Sequence, residues 1–172
     1  MEQVDRGDAI RIMLVLSALA AIVMGRVGRD MRARGGRGIV ALELARDVDE
    51  ARALTERWGD EGVSAARRSI AVDFAFVPLY SAALSFACLY VGDVVDARGW
   101  GAWAAAGDVL TWGVLVAGAL DLLENVAMLR TLGSGPTPAG VAVTRASAAL
   151  KFGLLAVAAA YCACVRTADW LL

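Results

Sequence analysis

The sequence predicts an all-α integral membrane protein, a bundle of four transmembrane helices with one amphipathic helix at the cytoplasmic interface. Three observations carry that prediction. The 172 residues are 59% hydrophobic and only 20% charged, whereas soluble domains run near 45–50% apolar and about 25% charged. Four apolar stretches approach the roughly 20 residues needed to cross about 30 Å of hydrocarbon. Ten of the seventeen Lys+Arg residues crowd into one connection. Mean hydropathy is +0.59, and the length suits a single membrane domain over residues 1–172.

The first span is expected at residues 10–25, interrupted by Arg11. Ala18-Leu19-Ala20 resembles a signal-peptidase site, but Glu2, Asp5 and Asp8 stand where a signal sequence is basic, so the span is expected to be retained. Residues 26–38 follow with five arginines and several glycines. Such a run sets topology, and it would attract anionic lipid headgroups by about 1 kcal/mol per residue. Val40, Leu44, Val48, Ala51, Leu54 and Trp58 then recur at helical spacing, while Glu43, Asp47, Glu50 and Glu56 fall elsewhere. That pattern predicts one amphipathic helix over residues 39–58, ended by Gly59. It would lie along the membrane surface or cover the mouth of the bundle.

Asp60-Glu61 opens a new helical run into the second span, residues 69–92, which contains Asp73 and Pro78. A short loop at 93–99 leads to the third span, 100–129, with Asp108, Asp121 and Glu124. The turn at 133–138 ends in Thr137-Pro138, a helix cap followed by proline at the first helical position. The fourth span, 146–165, carries Lys151 and a stripe of small residues, Ala149, Gly153, Ala156, Ala160 and Cys164, suited to close helix packing. Trp100, Trp103 and Trp170 fit an interfacial belt.

Arginine placement sets the expected orientation. The 43-residue loop 26–68 holds ten of the seventeen basic residues, which puts it in the cytoplasm. Both termini then lie outside the cell membrane. Asp108 falls in the outer half, where Arg11 would be a partner.

Composition also excludes chemistry. The chain has no His, which removes His-ligated haem, His-containing zinc sites and Ser-His-Asp or Cys-His catalysis. Cys88, Cys162 and Cys164 make no metal-binding spacing. A disulfide between Cys88 and one of the other two is conceivable near the outer side, with buried free thiols the favoured expectation. A net charge of −1 gives no pull toward nucleic acid. No cofactor and no metal are expected. The expected partners are membrane lipids and a lipid-soluble small molecule.

The charges inside the spans are the main signal. A centred Asp or Lys costs about 2.5–3.5 kcal/mol on insertion scales, so such residues face a bundle interior or a cavity. With the expected topology, Asp73 lies about 6 Å inside its span, Asp121 and Glu124 about 9–14 Å from Arg130, and Lys151 about 9 Å beyond Arg145. All fall in the cytoplasmic half. Asp121, Glu124, Asn125 and Met128 share a helix side, as do Asp73, Val77 and Tyr80, and Thr144, Ser147 and Lys151. One polar pocket would use Asp121, Glu124, Asp73 and Lys151 as its reactive groups and Tyr80, Asn125 and Ser147 as its substrate-binding wall.

Three carboxylates facing one lysine leave at least one acid protonated, which is what a proton donor requires. The expected function is acid–base chemistry on a lipid-soluble, isoprenoid-like substrate, such as cyclisation or isomerisation. Two other classes use the same residues: a proton- or cation-coupled transporter, and a structural or regulatory membrane subunit whose charges only fix helix packing.

Overall fold

The computed structural model describes residues 38–171 together with Val15 and Ile22, with side chains as far as Cys164. The expected first span at 10–25, the arginine run that follows it and the side chain of Trp170 fall outside the described residues. Among those described there are four helices and no strand: α1 (Ile39–Glu43), α2 (Val48–Asp96), α3 (Gly101–Ser134) and α4 (Pro138–Leu171). Three of them, α2, α3 and α4, are long and apolar enough to cross a membrane.

Local chemistry explains the boundaries. α2 begins at Asp47, whose side chain accepts a hydrogen bond from Glu50 N at 2.8 Å. Glu50 Oε2 in turn accepts from Arg46 N at 3.0 Å, so the start is tied from both sides in the manner of a capping box. The helix breaks at Gly59, with φ 60° and ψ −175°, a backbone conformation that residues with a Cβ avoid. An eleven-residue arm, 48–58, therefore precedes the membrane-crossing part. Past the break the helix runs through Pro78 with helical backbone values. At the α3–α4 turn, Thr137 Oγ1 accepts from Gly140 N at 3.1 Å and caps α4 as the sequence suggests.

The segment 39–58 is not one helix. It stops at Glu43 and restarts at Val48, so the apolar register read across it does not hold. Val40 and Leu44, expected on the buried stripe, are 48% and 46% exposed, while Leu42, Glu43 and Ala45 are buried. Asp47 is the reason: as the cap of α2 it must leave helical geometry. The arm after it does follow the expected stripe, with Ala51, Leu54 and Trp58 buried. α1 sits over the α3–α4-turn end of the bundle. Leu42 and Ala45 pack there with Trp58, Ile70, Met128, Leu132 and Val141.

α3 is the central helix. It packs along both α2 and α4, which touch each other much less. Its faces are inverted relative to a soluble helix. Val109, Trp112, Val116 and Leu123 are exposed, whereas Thr111, Asp121, Glu124, Asn125 and Thr131 are buried. Apolar side chains outward and polar ones inward is the arrangement lipid favours.

At the α2–α3-turn end the helices approach closely. A Cβ added to Gly107 would lie 2.7 Å from Tyr161 Oη, 3.0 Å from the Cys88 carbonyl and 3.1 Å from Gly92 Cα, so only glycine fits there. Cys88, Val95, Val114, Ala158 and Tyr161 fill this end. The small-residue stripe expected to make the contacts of α4 does not make them. Ala149, Gly153, Ala156, Ala160 and Cys164 are exposed. The buried face of α4 runs instead through Val141, Thr144, Ser147, Ala148, Lys151, Ala158 and Tyr161. A lysine must leave the lipid, and its place decides which side of the helix turns inward.

Candidate functional site

The site lies in the half of the bundle nearer the α3–α4 turn and is organised around Lys151. α4 carries the lysine inward, and its Nζ donates to Asp121 Oδ1 on α3 at 2.6 Å. Glu124, one turn along α3, places Oε2 3.0 Å from the same nitrogen. That is an ion-pair distance, but the approach is off hydrogen-bond direction, and both Glu124 carboxyl oxygens are without a hydrogen bond. α2 supplies the opposite wall. Tyr80 Oη donates to Asp121 Oδ2 at 2.8 Å, and Asn125 Nδ2 of α3 donates to Asp73 Oδ2 of α2 at 2.7 Å. Asp121 is thus held from both sides, by Lys151 and by Tyr80. The ammonium also stands 5.0 Å from the centroid of the Phe152 ring, within cation–π range.

Of the residues expected from the sequence, Asp73, Asp121, Glu124 and Lys151 converge, and Tyr80 and Asn125 bond to two of the carboxylates. Ser147 is buried one turn before Lys151 on α4 but does not line the cavity described below. Asp108 is exposed on α3, and its suggested partner Arg11 falls outside the described residues.

Sequence reasoning missed one member, Glu43 of α1. Its Oε2 lies 3.9 Å from Lys151 Nζ, and that oxygen has no hydrogen-bond partner. Burial pushes its carboxyl above the ordinary value of 4.5, and the negative charges of Asp121 and Asp73 add to this. The positive charge of Lys151 opposes the rise without cancelling it. A signal for Glu43 was present in Asp47-x-x-Glu50, which marks a helix start at 47. Ending the preceding helix before that start frees Glu43 from the polar face to which a continuous helix assigned it.

Among the described residues the cluster holds the carboxyls of Glu43, Asp121 and Glu124 around one ammonium, with that of Asp73 beside them on Asn125, and the four acids and Lys151 are all buried. Among the described residues no group of acidic, Cys or His side chains is arranged to hold a metal ion.

Beside the cluster is a cavity of about 310 Å³, in the groove that α2 and α4 leave over α3. Glu43, Asp73, Asp121 and Lys151 give it a charged end, and Ile70, Phe76, Met128 and Leu155 give it apolar walls. Val40 and Phe152 stand at its rim and are exposed. An apolar cleft of this size with a few converging polar groups is the usual form of a small-molecule site.

The fold and site together describe a helical membrane protein with buried carboxylates and a lysine ion-pair network. No family model matches the chain, and no curated protein or solved structure shows similarity to it.

Proposed function

We propose that the groove binds a lipid-soluble, isoprenoid-like substrate and performs acid–base chemistry on it, of the cyclisation or isomerisation type. The observation that carries this reading is the excess of buried acid against an apolar wall. Among the described residues, the carboxyls of Glu43, Asp121 and Glu124 lie within 3.9 Å of the one ammonium, and a fourth, that of Asp73, is buried beside them on Asn125. Full ionisation would leave three negative charges unmatched away from water, and such groups take up protons instead. Glu43, whose carboxyl burial holds above its ordinary range, is the natural proton donor at the charged end of the cavity. Proton transfer to a substrate double bond would leave a carboxylate facing Lys151, which stabilises it. Asp73 and Asp121, each already accepting a hydrogen bond, are the candidate bases for removing a proton at the other end.

A structural reading has one observation in its favour. Lys151, Asp121 and Tyr80 tie α4, α3 and α2 together through bonds of 2.6 and 2.8 Å, as a purely structural ion-pair network would. Coupled transport has less support. Toward the α2–α3 turn the described residues pack into an apolar cluster, and the hydroxyls there bond to backbone carbonyls.

The readings separate in one experiment. Purified protein in detergent is incubated with a neutral membrane-lipid extract supplemented with polyprenols, and the lipids are followed by chromatography and mass spectrometry. Cyclisation and isomerisation conserve mass, so a product of unchanged mass and shifted retention is expected with the wild type. Folded Glu43→Gln and Asp121→Asn variants should lose it. Conversion that survives in those variants, or no conversion by the wild type, would leave the structural network as the better account.

A further inference from the structure

We propose that Cys88 and Cys162 form a dithiol site that is oxidised to a disulfide, stapling α2 to α4. The two sulfurs stand 3.8 Å apart on different helices, 74 residues apart in sequence, and both are free thiols. A disulfide needs about 2.0 Å between sulfurs, so the remaining gap is within reach of side-chain rotation and a small helix adjustment. Cys88 is fully buried at the close-packed end, whereas Cys162 is only partly buried. That difference assigns an order of reaction.

The reaction partner is a disulfide oxidant of low molecular weight or a dithiol oxidoreductase. The Cys162 thiolate attacks one sulfur of the oxidant, forming a mixed disulfide and releasing the oxidant's first thiol. Cys88 then attacks Cys162 Sγ, the new bond forms between the two helices, and the second thiol leaves. The protein loses two hydrogens and two electrons, and the oxidant gains both. In the orientation expected from the arginine bias, this end of the bundle faces the outer side, the compartment in which disulfides persist.

The position gives the bond a consequence. α2 and α4 each pack mainly on α3 and touch each other little, and the cavity occupies the groove between them. A covalent tie between these two helices at the opposite end would fix the groove's width. The inference is independent of what the cavity binds.

Oxidised glutathione is the probe. The reduced protein in nanodiscs should lose about two mass units, with peptide mapping linking Cys88 to Cys162, and its melting temperature should rise by several degrees until reductant is added. Cys164→Ser, which removes the exposed third thiol, should form the same Cys88–Cys162 link and show the two-unit loss without adducts. Cys88→Ser should stop at a stable glutathione adduct on Cys162. A persistent adduct on Cys162 while Cys88 is present, a link through Cys164, or no reaction at Cys162 with the fold intact would each overturn the proposal.

Discussion

The two ends of this bundle are built from the same three long helices and follow opposite rules. Toward the α2–α3 turn, contact is close and the hydroxyls of Ser85, Thr111 and Tyr161 are bonded to backbone carbonyls. Gly92 and Gly107 bring backbones together, Ser85 Oγ donates to the Thr111 carbonyl at 3.1 Å, and Tyr161 Oη donates to the Trp103 carbonyl at 3.0 Å. Toward the α3–α4 turn, the interior holds a lysine and four carboxyls, with oxygens of Glu43 and Glu124 lacking hydrogen bonds and a cavity beside them. Stability alone explains the first end, because small residues and bonded hydroxyls are what helix packing in lipid uses. It does not explain the second, since buried ion networks commonly stabilise no more than an apolar core of the same volume. The difference is the reason the proposed function is placed at the charged end.

The largest expected effect breaks that end at the ammonium of its buried cluster. Lys151→Met leaves Asp121, Glu124 and Glu43 unmatched, and removing one partner of a buried network costs about 3–5 kcal/mol. Loss of monodisperse protein on size exclusion, or a collapse of the thermal transition, is the outcome to look for. Adding Asp121→Asn and Glu124→Gln to Lys151→Met should restore much of the folded yield, because neutral amides no longer need the ammonium. Lys151→Met folding as well as wild type would mean that the carboxyls are already neutral or reach water.

The close-packed end responds next. Gly107→Ala puts a methyl group against Tyr161 Oη and the Cys88 carbonyl, and overpacking of this kind costs about 1–3 kcal/mol. A lower melting temperature is expected, with carboxyl chemistry at the far end unchanged. An equal loss of both would show that the two ends are coupled.

These contrasts were unevenly legible in the sequence. Asp73, Asp121, Glu124 and Lys151 could be brought together beforehand because each interrupts an apolar span, and helical spacing fixes which neighbours share its side. The small-residue stripe on α4 was legible as a pattern and misleading as a contact. Such stripes pack only where nothing more demanding claims the inward face, and here Lys151 claims it. Glu43 was hidden because one periodicity was read through a cap, and only the three-dimensional return of α1 over the bundle brings it to Lys151.

Smaller effects sharpen the charged end. Glu43 gives a pH dependence of definite sign. Its folded carboxyl is held above its ordinary 4.5, so folding favours the protonated form. Its contribution to stability is complete below the ordinary carboxylate range and is lost as pH rises through the folded value. Melting temperature should therefore fall with rising pH, and Glu43→Gln should flatten that slope; an unchanged slope would place the titration elsewhere. Tyr80→Phe removes one hydrogen bond to Asp121, 2.8 Å long, for a loss of about 1 kcal/mol measurable by thermal unfolding. A wild-type transition in that variant would show that Lys151 alone positions Asp121.

The proposal's central claim is that the excess of buried acid keeps a proton in the cluster, with Glu43, whose carboxyl burial pushes up, the proposed holder, ready for a substrate in the apolar groove. Infrared spectroscopy of the protein in nanodiscs tests it directly, because a protonated carboxyl absorbs apart from a carboxylate and shifts in heavy water. The wild type should show a protonated-carboxyl band at neutral pH that disappears in Glu43→Gln and fades as the pH is raised. A spectrum with every carboxyl ionised at neutral pH, or a band untouched by Glu43→Gln, would contradict it.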